Sequence, residues 1–122
     1  GYQRMLPDLP FLPAALVVSR VISRINRHLI CLDLGHKSIA SENPHPRVKF
    51  LNLGDQQAVN HSEEHLVLDV GNNTAVPLGM ELFGIPIHIC PPCALYDEAL
   101  VVENNEIIDA WRIMARVRKI TV

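Results

Sequence analysis

The sequence predicts an all-β or mainly β fold, arranged as a barrel or sandwich with at most one or two short helical turns. About seven or eight short apolar runs, rich in β-branched residues, follow one another along the chain, and turn residues close most of them. The 122 residues are 48% hydrophobic, which is enough apolar material for one domain with its own core.

Charge and hydropathy exclude several classes of function. The formal net charge of -2 provides no basic surface for nucleic acid or an anionic membrane. No apolar run approaches the roughly 20 residues that span a bilayer, and no secretory signal opens the chain. Three cysteines at no framework spacing fit a reducing compartment, so we expect a cytoplasmic protein. Because the chain begins at Gly1 without a starting methionine, we expect a processed or excised piece of something larger.

The start of the chain is rich in proline. Residues 1–13 are expected to form an extended lead-in segment or linker, since Pro7, Pro10 and Pro13 exclude a helix there. Residues 14–24 are the first predicted strand, because they are β-branched and end in polar and apolar alternation. A helix over residues 14–25 is the alternative, since alanine and arginine tolerate one. The folded domain is therefore expected to cover residues 14–122.

Three more strands are predicted in the middle of the chain. They cover residues 28–33, 47–53 and 65–70, closed by Gly35, Gly54 and a turn at residues 71–74. Two prolines make residues 42–46 a loop. Cys31 lies inside the first of these runs, so core packing is its expected role.

The C-terminal third begins with a predicted helical turn and ends with a hairpin. Residues 95–98 are expected to make one helical turn. Residues 100–103 and 107–111 should pair through Asn104 and Asn105, a two-residue loop typical of tight hairpins. Residues 112–118 alternate polar and apolar side chains.

The stretch with the most chemistry is residues 86–97. It places His88, Cys90 and Cys93 within six residues and surrounds them with three prolines. If residues 86–90 are extended, alternation places His88 and Cys90 on the same face of the strand. An imidazole and a thiolate on one face are able to hold a metal ion.

The residues alone leave four interpretations of this stretch open. The first is a metal site at His88 and Cys90 with positions free for substrate or water. The second is a redox dithiol at Cys90 and Cys93, which the expected strands disfavour because such a motif normally opens a helix in a βαβ unit. The third is a structural zinc site completed by His61 or His65. The fourth is ordinary packing, since free cysteines and lone histidines are often buried without a further role.

Two other segments carry candidate groups. Glu63, Glu64 and His65 lie in consecutive positions and are candidates to support a metal ligand or to act as acid and base, although adjacent polar residues before a strand are more often a solvated loop. Lys37 is a candidate amine nucleophile if it is desolvated, and an ordinary surface lysine otherwise.

The order of several short motifs resembles the C-terminal domain of the D-serine dehydratase and D-threonine aldolase family, which consists of alanine-racemase-like, fold type III pyridoxal-phosphate enzymes. Upstream, the resemblance rests on Asp33-x-Gly35-x-Lys37 and Ser62-Glu63-Glu64-His65. Its specific part lies in the final third and comprises Pro86-Ile87-His88-Ile89-Cys90-Pro91, Ala94-Leu95-Tyr96-Asp97, Val101-Val102, Asp109-Ala110-Trp111 and Ala115-Arg116. Pro92 departs from the threonine common in the family, and Cys93 is an unusual neighbour.

The resemblance implies a pyridoxal-phosphate lyase of β-hydroxy D-amino acids. Its N-terminal α/β barrel, which carries the cofactor lysine, is absent from this chain, and its C-terminal domain is β-rich. The metal would be zinc, with manganese as the alternative, bound by His88 and Cys90. Glu63, Glu64 and His65 would support it. The expected partners are the enzyme's own barrel, a second subunit in a homodimer and a small D-amino acid.

The predicted function is therefore the metal-binding C-terminal domain of a pyridoxal-phosphate-dependent D-serine dehydratase or D-threonine aldolase. The isolated domain is expected to be inactive, because none of Lys37, Lys49 and Lys119 matches the family's cofactor lysine. A non-catalytic metal- or ligand-binding β module is the alternative, and a thiol-disulfide protein is a third hypothesis.

Overall fold

The fold was analysed in a computed structural model that describes residues 6–73 and 75–117. It has eight strands, one short helix at Cys90–Leu95 and a 3-10 turn at Met114–Arg116. The mainly β prediction is confirmed. The strands are β1 Val17–Arg24, β2 Leu29–Leu32, β3 Val48–Phe50, β4 Gln57–His61, β5 Leu66–Asp69, β6 Glu81–Pro86, β7 Glu98–Glu103 and β8 Glu106–Arg112.

Six of the strands form one antiparallel sheet in the order β3-β6-β1-β2-β5-β4. The strand interpretation of residues 14–24 is confirmed from Val17 onward, and the helical alternative is not adopted. Alternation explains this, because Val17, Ser19 and Val21 are buried while the residues between them are exposed. The buried Ser19 hydroxyl donates a hydrogen bond of 2.8 Å to Asp33 Oδ1, so its polar group is not left unpaired.

The core lies on one face of the sheet and is made of aliphatic side chains and one phenylalanine. Cys31, expected in this core, is only partly buried, because it points to the opposite face of β2 from Ile30 and Leu32. Burial and the neighbouring Asp33 charge raise the pKa of the Cys31 thiol, so it stays protonated and unreactive. The buried core residues are Val17, Val21, Ile30, Leu32, Leu34, Ile39, Val48, Phe50, Leu53, Leu66, Leu68, Val70, Val76 and Leu82.

The predicted hairpin is confirmed as a separate two-stranded sheet of β7 and β8. Asn104 and Asn105 connect the strands with φ angles of 51° and 66°, the positive values that a tight primed turn requires. Leu100, Val102 and Ile107 share one face of this hairpin and are exposed. The hairpin therefore presents an apolar face.

Two expectations about local structure are wrong, and two strands, β4 and β6, were not predicted. For β4 the reason is that its sequence is polar and this edge strand buries little surface. The helical turn expected at residues 95–98 lies earlier, at Cys90–Leu95. Residues 86–90 are not one extended strand, because β6 ends at Pro86 and Cys90 begins the helix. Pro91 and Pro92 favour this outcome, since the first helical turn needs no N–H groups from them.

The described residues before β1 and after β8 add little regular structure. Residues 6–13 carry turns but neither strand nor helix, and the division of the chain at residue 13 stays a prediction. Within the alternating residues 112–118, β8 ends at Arg112 and Met114–Arg116 form the 3-10 turn. Residue 118 and Lys119 lie outside the described residues. No helix among the described residues has the length and apolar character needed to cross a bilayer.

Candidate functional site

His88 and Cys90 lie on the connection between β6 and the short helix. Strand β6 ends two residues before His88, and Cys90 is the first residue of the helix. Both side chains are exposed, His88 to 44%. The core residue Leu82 and the pairing of β6 with β1 and β3 anchor this connection to the sheet.

A carboxylate that the sequence analysis missed contacts His88. Glu42, in the loop between β2 and β3, places Oε1 in hydrogen-bond contact with His88 Nδ1. This bond holds the pKa of the Glu42 carboxyl below its ordinary value, so Glu42 is an anion and only accepts. Nδ1 of His88 is therefore the donor in this contact, and in the neutral form of the ring this places the lone pair on Nε2. Metal-binding histidines commonly have this arrangement.

Cys93 lies one turn after Cys90 in the helix. It is partly buried, and its backbone N–H donates to the carbonyl of Ile89 at 3.1 Å. Both thiols are free. Although the pair opens a helix, as the redox interpretation requires, the paired strands in the described part of the chain are antiparallel and form no βαβ unit.

Glu63, Glu64 and His65 lie in the turn between β4 and β5. Lys37 Nζ is 2.5 Å from Glu64 Oε1 and 3.4 Å from Glu63 Oε2, and the backbone N–H of His65 bonds to the Ser62 hydroxyl at 3.2 Å. These side chains are exposed. Their roles as supports of a metal ligand remain predictions, while the carboxylate that contacts His88 is Glu42.

The carboxylates beside Lys37 disfavour the neutral amine that a nucleophilic lysine needs. The hydrogen bonds of Lys37 to Glu64 and Glu63 raise the pKa of the ammonium group above its ordinary value. A nucleophilic lysine needs the opposite shift, produced by burial or by cationic neighbours. Lys37 is thus a charged surface lysine.

Three histidines and one arginine form a second group, here called the imidazole cluster, which consists of His36, His45, His61 and Arg47. The ring centroids of His36 and His61 are 4.4 Å apart, and those of His45 and His61 are 5.7 Å apart. Arg47 Nη1 is 3.3 Å from His36 Nε2 and 2.8 Å from His61 Nδ1. No local motif announces this cluster, because its members come from three separate segments of the chain.

The imidazole cluster keeps His61 neutral. Burial, followed by the nearby charges of His36, Arg47 and His45, lowers the pKa of His61 to about 4, although the Leu34 carbonyl opposes the shift. That carbonyl accepts from His61 Nε2 at 2.9 Å, so Nδ1 is free to accept from Arg47. Burial and the charges of Arg47 and His36 also lower the pKa of His45.

The lowered pKa of His61 predicts a loss of stability in mild acid. An unfolded histidine takes up its proton near pH 6.5, whereas native His61 resists protonation down to about pH 4. Acid therefore favours the unfolded chain across this window, and the free energy of unfolding should fall by on the order of 1 kcal/mol after discounting for solvent screening. Urea unfolding at a series of pH values measures it.

The variant His61→Asn isolates this contribution, because it removes the titrating group. Its unfolding free energy should depend less on pH than that of the wild type, while the neighbouring substitution Asn60→Gln should leave the pH dependence unchanged. Identical pH profiles for wild type and His61→Asn would contradict the prediction.

The chemistry of the His88 and Cys90 side chains indicates which metal ion would fit this site. No three His, Cys, Asp or Glu side chains within residues 6–73 and 75–117 are grouped to hold a metal ion, so His88 and Cys90 would supply at most part of a coordination shell. An imidazole with Glu42 on its Nδ1 and a nearby thiol suit zinc, whereas manganese prefers oxygen ligands. The donor set therefore fits zinc with the other positions filled from outside these residues.

An open groove of about 1090 Å³ adjoins His88 and Cys90. Phe11 and Leu12 of the N-terminal segment, Val48 and Phe50 of β3, and Ile85 of β6 contribute to its wall. The metal-ligand candidates thus border a space large enough for a small molecule or for a segment of another domain.

Comparisons with known proteins agree with this fold. Residues 14–102 match the family described as "Putative serine dehydratase domain". Uncharacterized proteins of Mycobacterium tuberculosis and Mycobacterium bovis are 33% identical over 113 residues, which cover 89% of this chain and 85% of each of those proteins.

Solved enzymes share the same architecture over a minor part of their length. A D-threonine aldolase from Filomicrobium marinum matches with a TM-score of 0.80 and 24% identity, over 90% of this chain and 30% of that chain. D-threo-3-hydroxyaspartate dehydratase from Delftia sp. HT23 matches with a TM-score of 0.67 and 17% identity, over 81% and 31%. This chain therefore spans less than a third of these two enzymes.

Two variants of that dehydratase match as well, each with 16% identity and TM-scores of 0.68 and 0.65. One has alanine in place of a histidine, and the other has alanine in place of a cysteine and is described as the metal-free form. The two substituted positions are two residues apart in that enzyme.

Proposed function

This chain belongs to the serine dehydratase domain family and has the fold of its C-terminal domain, and we propose that it is the metal-binding part of a pyridoxal-phosphate-dependent D-amino-acid lyase. The proposed substrates are β-hydroxy D-amino acids. The proposed ligands are His88 and Cys90, and zinc is the proposed metal.

The observation that carries the metal site is the contact between Glu42 and His88. It leaves His88 Nε2 as an acceptor two residues from the exposed Cys90 thiol. The spacing of this histidine and cysteine equals that of the two residues replaced in the dehydratase variants, one of which is described as metal-free. This agreement supports the assignment of His88 and Cys90 as a pair.

The site residues have separable tasks in the proposed reaction. A bound divalent cation would supply Lewis acidity toward a substrate hydroxyl, while pyridoxal phosphate in the barrel would stabilise negative charge at the α-carbon. His88 binds through Nε2, Cys90 binds as a thiolate, and Glu42 holds the proton of His88 on Nδ1. The groove beside them admits the substrate, and both dehydration and aldol cleavage are compatible with this arrangement.

The remaining parts of the proposed enzyme lie outside these 122 residues. The solved enzymes are about three times as long as the segment that matches, which supports a further domain, here proposed to be an N-terminal barrel that binds the cofactor. A homodimer is proposed as the complete form. The exposed apolar face of the β7–β8 hairpin supports the same proposal, since such a face is normally covered. The domain by itself would then be inactive.

A second candidate function is a metal- or ligand-binding β module without catalysis. The mycobacterial relatives favour it, because this chain covers 85% of their length and they have little room for a barrel domain. Both candidate functions use the same proposed metal ligands, so one metal-binding experiment on variants of these ligands tests both.

Substituting either proposed ligand should impair metal binding. Titration of the metal-free chain with Co²⁺ should produce a thiolate-to-cobalt absorption band. His88→Ala should weaken the Co²⁺ affinity at least tenfold, and Cys90→Ser should remove the band. Zinc content by mass spectrometry should fall in parallel.

The matched control is Cys93→Ser, which removes the neighbouring thiol and should keep both the band and the zinc. Equal metal content in wild type and His88→Ala would refute the metal site. Loss of insulin-reducing activity in Cys93→Ser would instead support the thiol-disulfide hypothesis.

A further inference from the structure

The loop at residues 42–47 connects His88 to the imidazole cluster. Glu42 at its beginning contacts His88, and Arg47 at its end contacts His36 and His61. The carbonyl of Arg47 also accepts from the backbone N–H of Ile87 at 2.9 Å. The loop is thus hydrogen-bonded to the residue next to His88 and to His61 of β4.

The Arg47 side chain fastens this loop at several points. Its Nε donates to the Asn43 carbonyl at 2.7 Å, which ties the guanidinium to the backbone next to Glu42. Its Nη1 lies against the ring nitrogens of His36 and His61. Both nitrogens must be unprotonated to accept, and the lowered pKa of His61 ensures this on its side. The planar guanidinium can make these contacts together because its donors point in fixed directions.

The contact between Glu42 and His88 needs such support. Both side chains are nearly half exposed, at 47% and 44%. The interaction of such an exposed pair stabilises the structure little, because ordering the two side chains costs conformational entropy. Holding the backbone of the loop lowers that entropic cost.

We propose that Arg47 is a positioning residue for the metal site: by bridging His36, His61 and the Asn43 carbonyl, it holds the 42–47 loop so that Glu42 remains on His88 Nδ1 and His88 Nε2 stays available. This inference rests on the proposed function, since it concerns the same histidine. It assigns the imidazole cluster a role in orienting a metal ligand.

The first test uses the metal-free protein, so that it does not depend on metal binding. Nitrogen NMR of the His88 ring reports which nitrogen carries the proton. The wild type should show the proton on Nδ1, and Glu42→Ala should lose that preference. Arg47→Lys keeps the charge but cannot bridge all three acceptors, so it should shift the His88 tautomer toward that of Glu42→Ala.

Arg20→Lys is the matched control. Arg20 pairs with Glu81 at 2.8 Å on the sheet, so this substitution should leave the His88 tautomer unchanged. If Arg47→Lys does not fold, His36→Phe removes one acceptor while keeping Arg47 and should give a smaller shift in the same direction. A folded Arg47→Lys or His36→Phe protein with the wild-type tautomer would overturn the inference.

The second test is a double-mutant cycle on Co²⁺ affinity. Glu42→Ala should weaken binding by about 10–100-fold, the usual effect of removing the group behind a ligand, and Arg47→Lys should weaken it by a smaller factor. The double variant should bind no more weakly than Glu42→Ala alone, because Arg47 acts through Glu42. Additive losses would overturn the inference, whereas absence of Co²⁺ binding by the wild type would refute the proposed function and leave the tautomer test decisive for Arg47.

Discussion

Gly35→Ala should be among the most destabilising single substitutions in this protein. A Cβ atom at this position would lie 2.0 Å from the Glu63 carbonyl oxygen and 2.3 Å from Glu64 Cα, so backbone would have to move. These two connecting segments cannot yield freely, because the N–H groups of His36 and Lys37 bond to the carbonyls of Ser62 and Glu63 at 2.9 and 3.1 Å. We expect a loss of about 3 kcal/mol or more in the free energy of unfolding, measured with urea.

Gly54→Ala is the matched control for this experiment. A Cβ at Gly54 meets no atom within 4 Å, so its unfolding free energy should change by about 0.5 kcal/mol or less. The pairing between Lys37 and the two glutamates should be lost in Gly35→Ala together with stability. Equal urea midpoints for the two variants would show that the approach of the 35–37 and 62–64 segments is looser than the structure indicates.

Leu82→Ala is expected to have a similarly large effect through the core. Leu82 is completely buried in β6, and removing its side chain should cost about 2–5 kcal/mol, depending on how far the cavity collapses. Because β6 leads to His88, a folded Leu82→Ala protein also tests whether the core is needed to position this proposed metal ligand. Urea unfolding gives the stability, and Co²⁺ titration of the folded protein gives the affinity.

The adjacent substitution Phe83→Ala serves as the control, since Phe83 points to the other face of β6 and is 38% exposed. It removes a larger side chain but should cost less than Leu82→Ala. A greater loss from Phe83→Ala would mean that the opposite face of the sheet contributes more burial than the described residues show.

The β7–β8 hairpin leaves large apolar side chains exposed. Trp111 is 63% exposed on β8, and its indole N–H donates to Asp109 Oδ2 at 3.1 Å. The turn of the hairpin was predictable from Asn104 and Asn105 because the backbone conformation of a two-residue loop is a local property. The exposure of the apolar face of the hairpin depends on contacts that are distant in the chain, and the local pattern carries no information about them.

The sequence by itself determined the fold class, because alternation along β1 and short apolar runs closed by turns decide which residues can be buried together. It also singled out His88 and Cys90, since few side chains bind metals and these two are close in the chain. It failed for β4, a polar edge strand, and for Cys90–Leu95, where the prolines favoured a helical turn over an extended one.

Only the tertiary structure decided what surrounds His88. Glu42 is 46 positions away in the chain, and Arg47 meets His36 and His61 across 11 and 14 positions. Contacts at such separations depend on strand register and loop path, which no local pattern specifies. The sequence thus determined which groups are candidate metal ligands, and the fold decided which carboxylate contacts the histidine and which arginine bonds to the loop that carries that carboxylate.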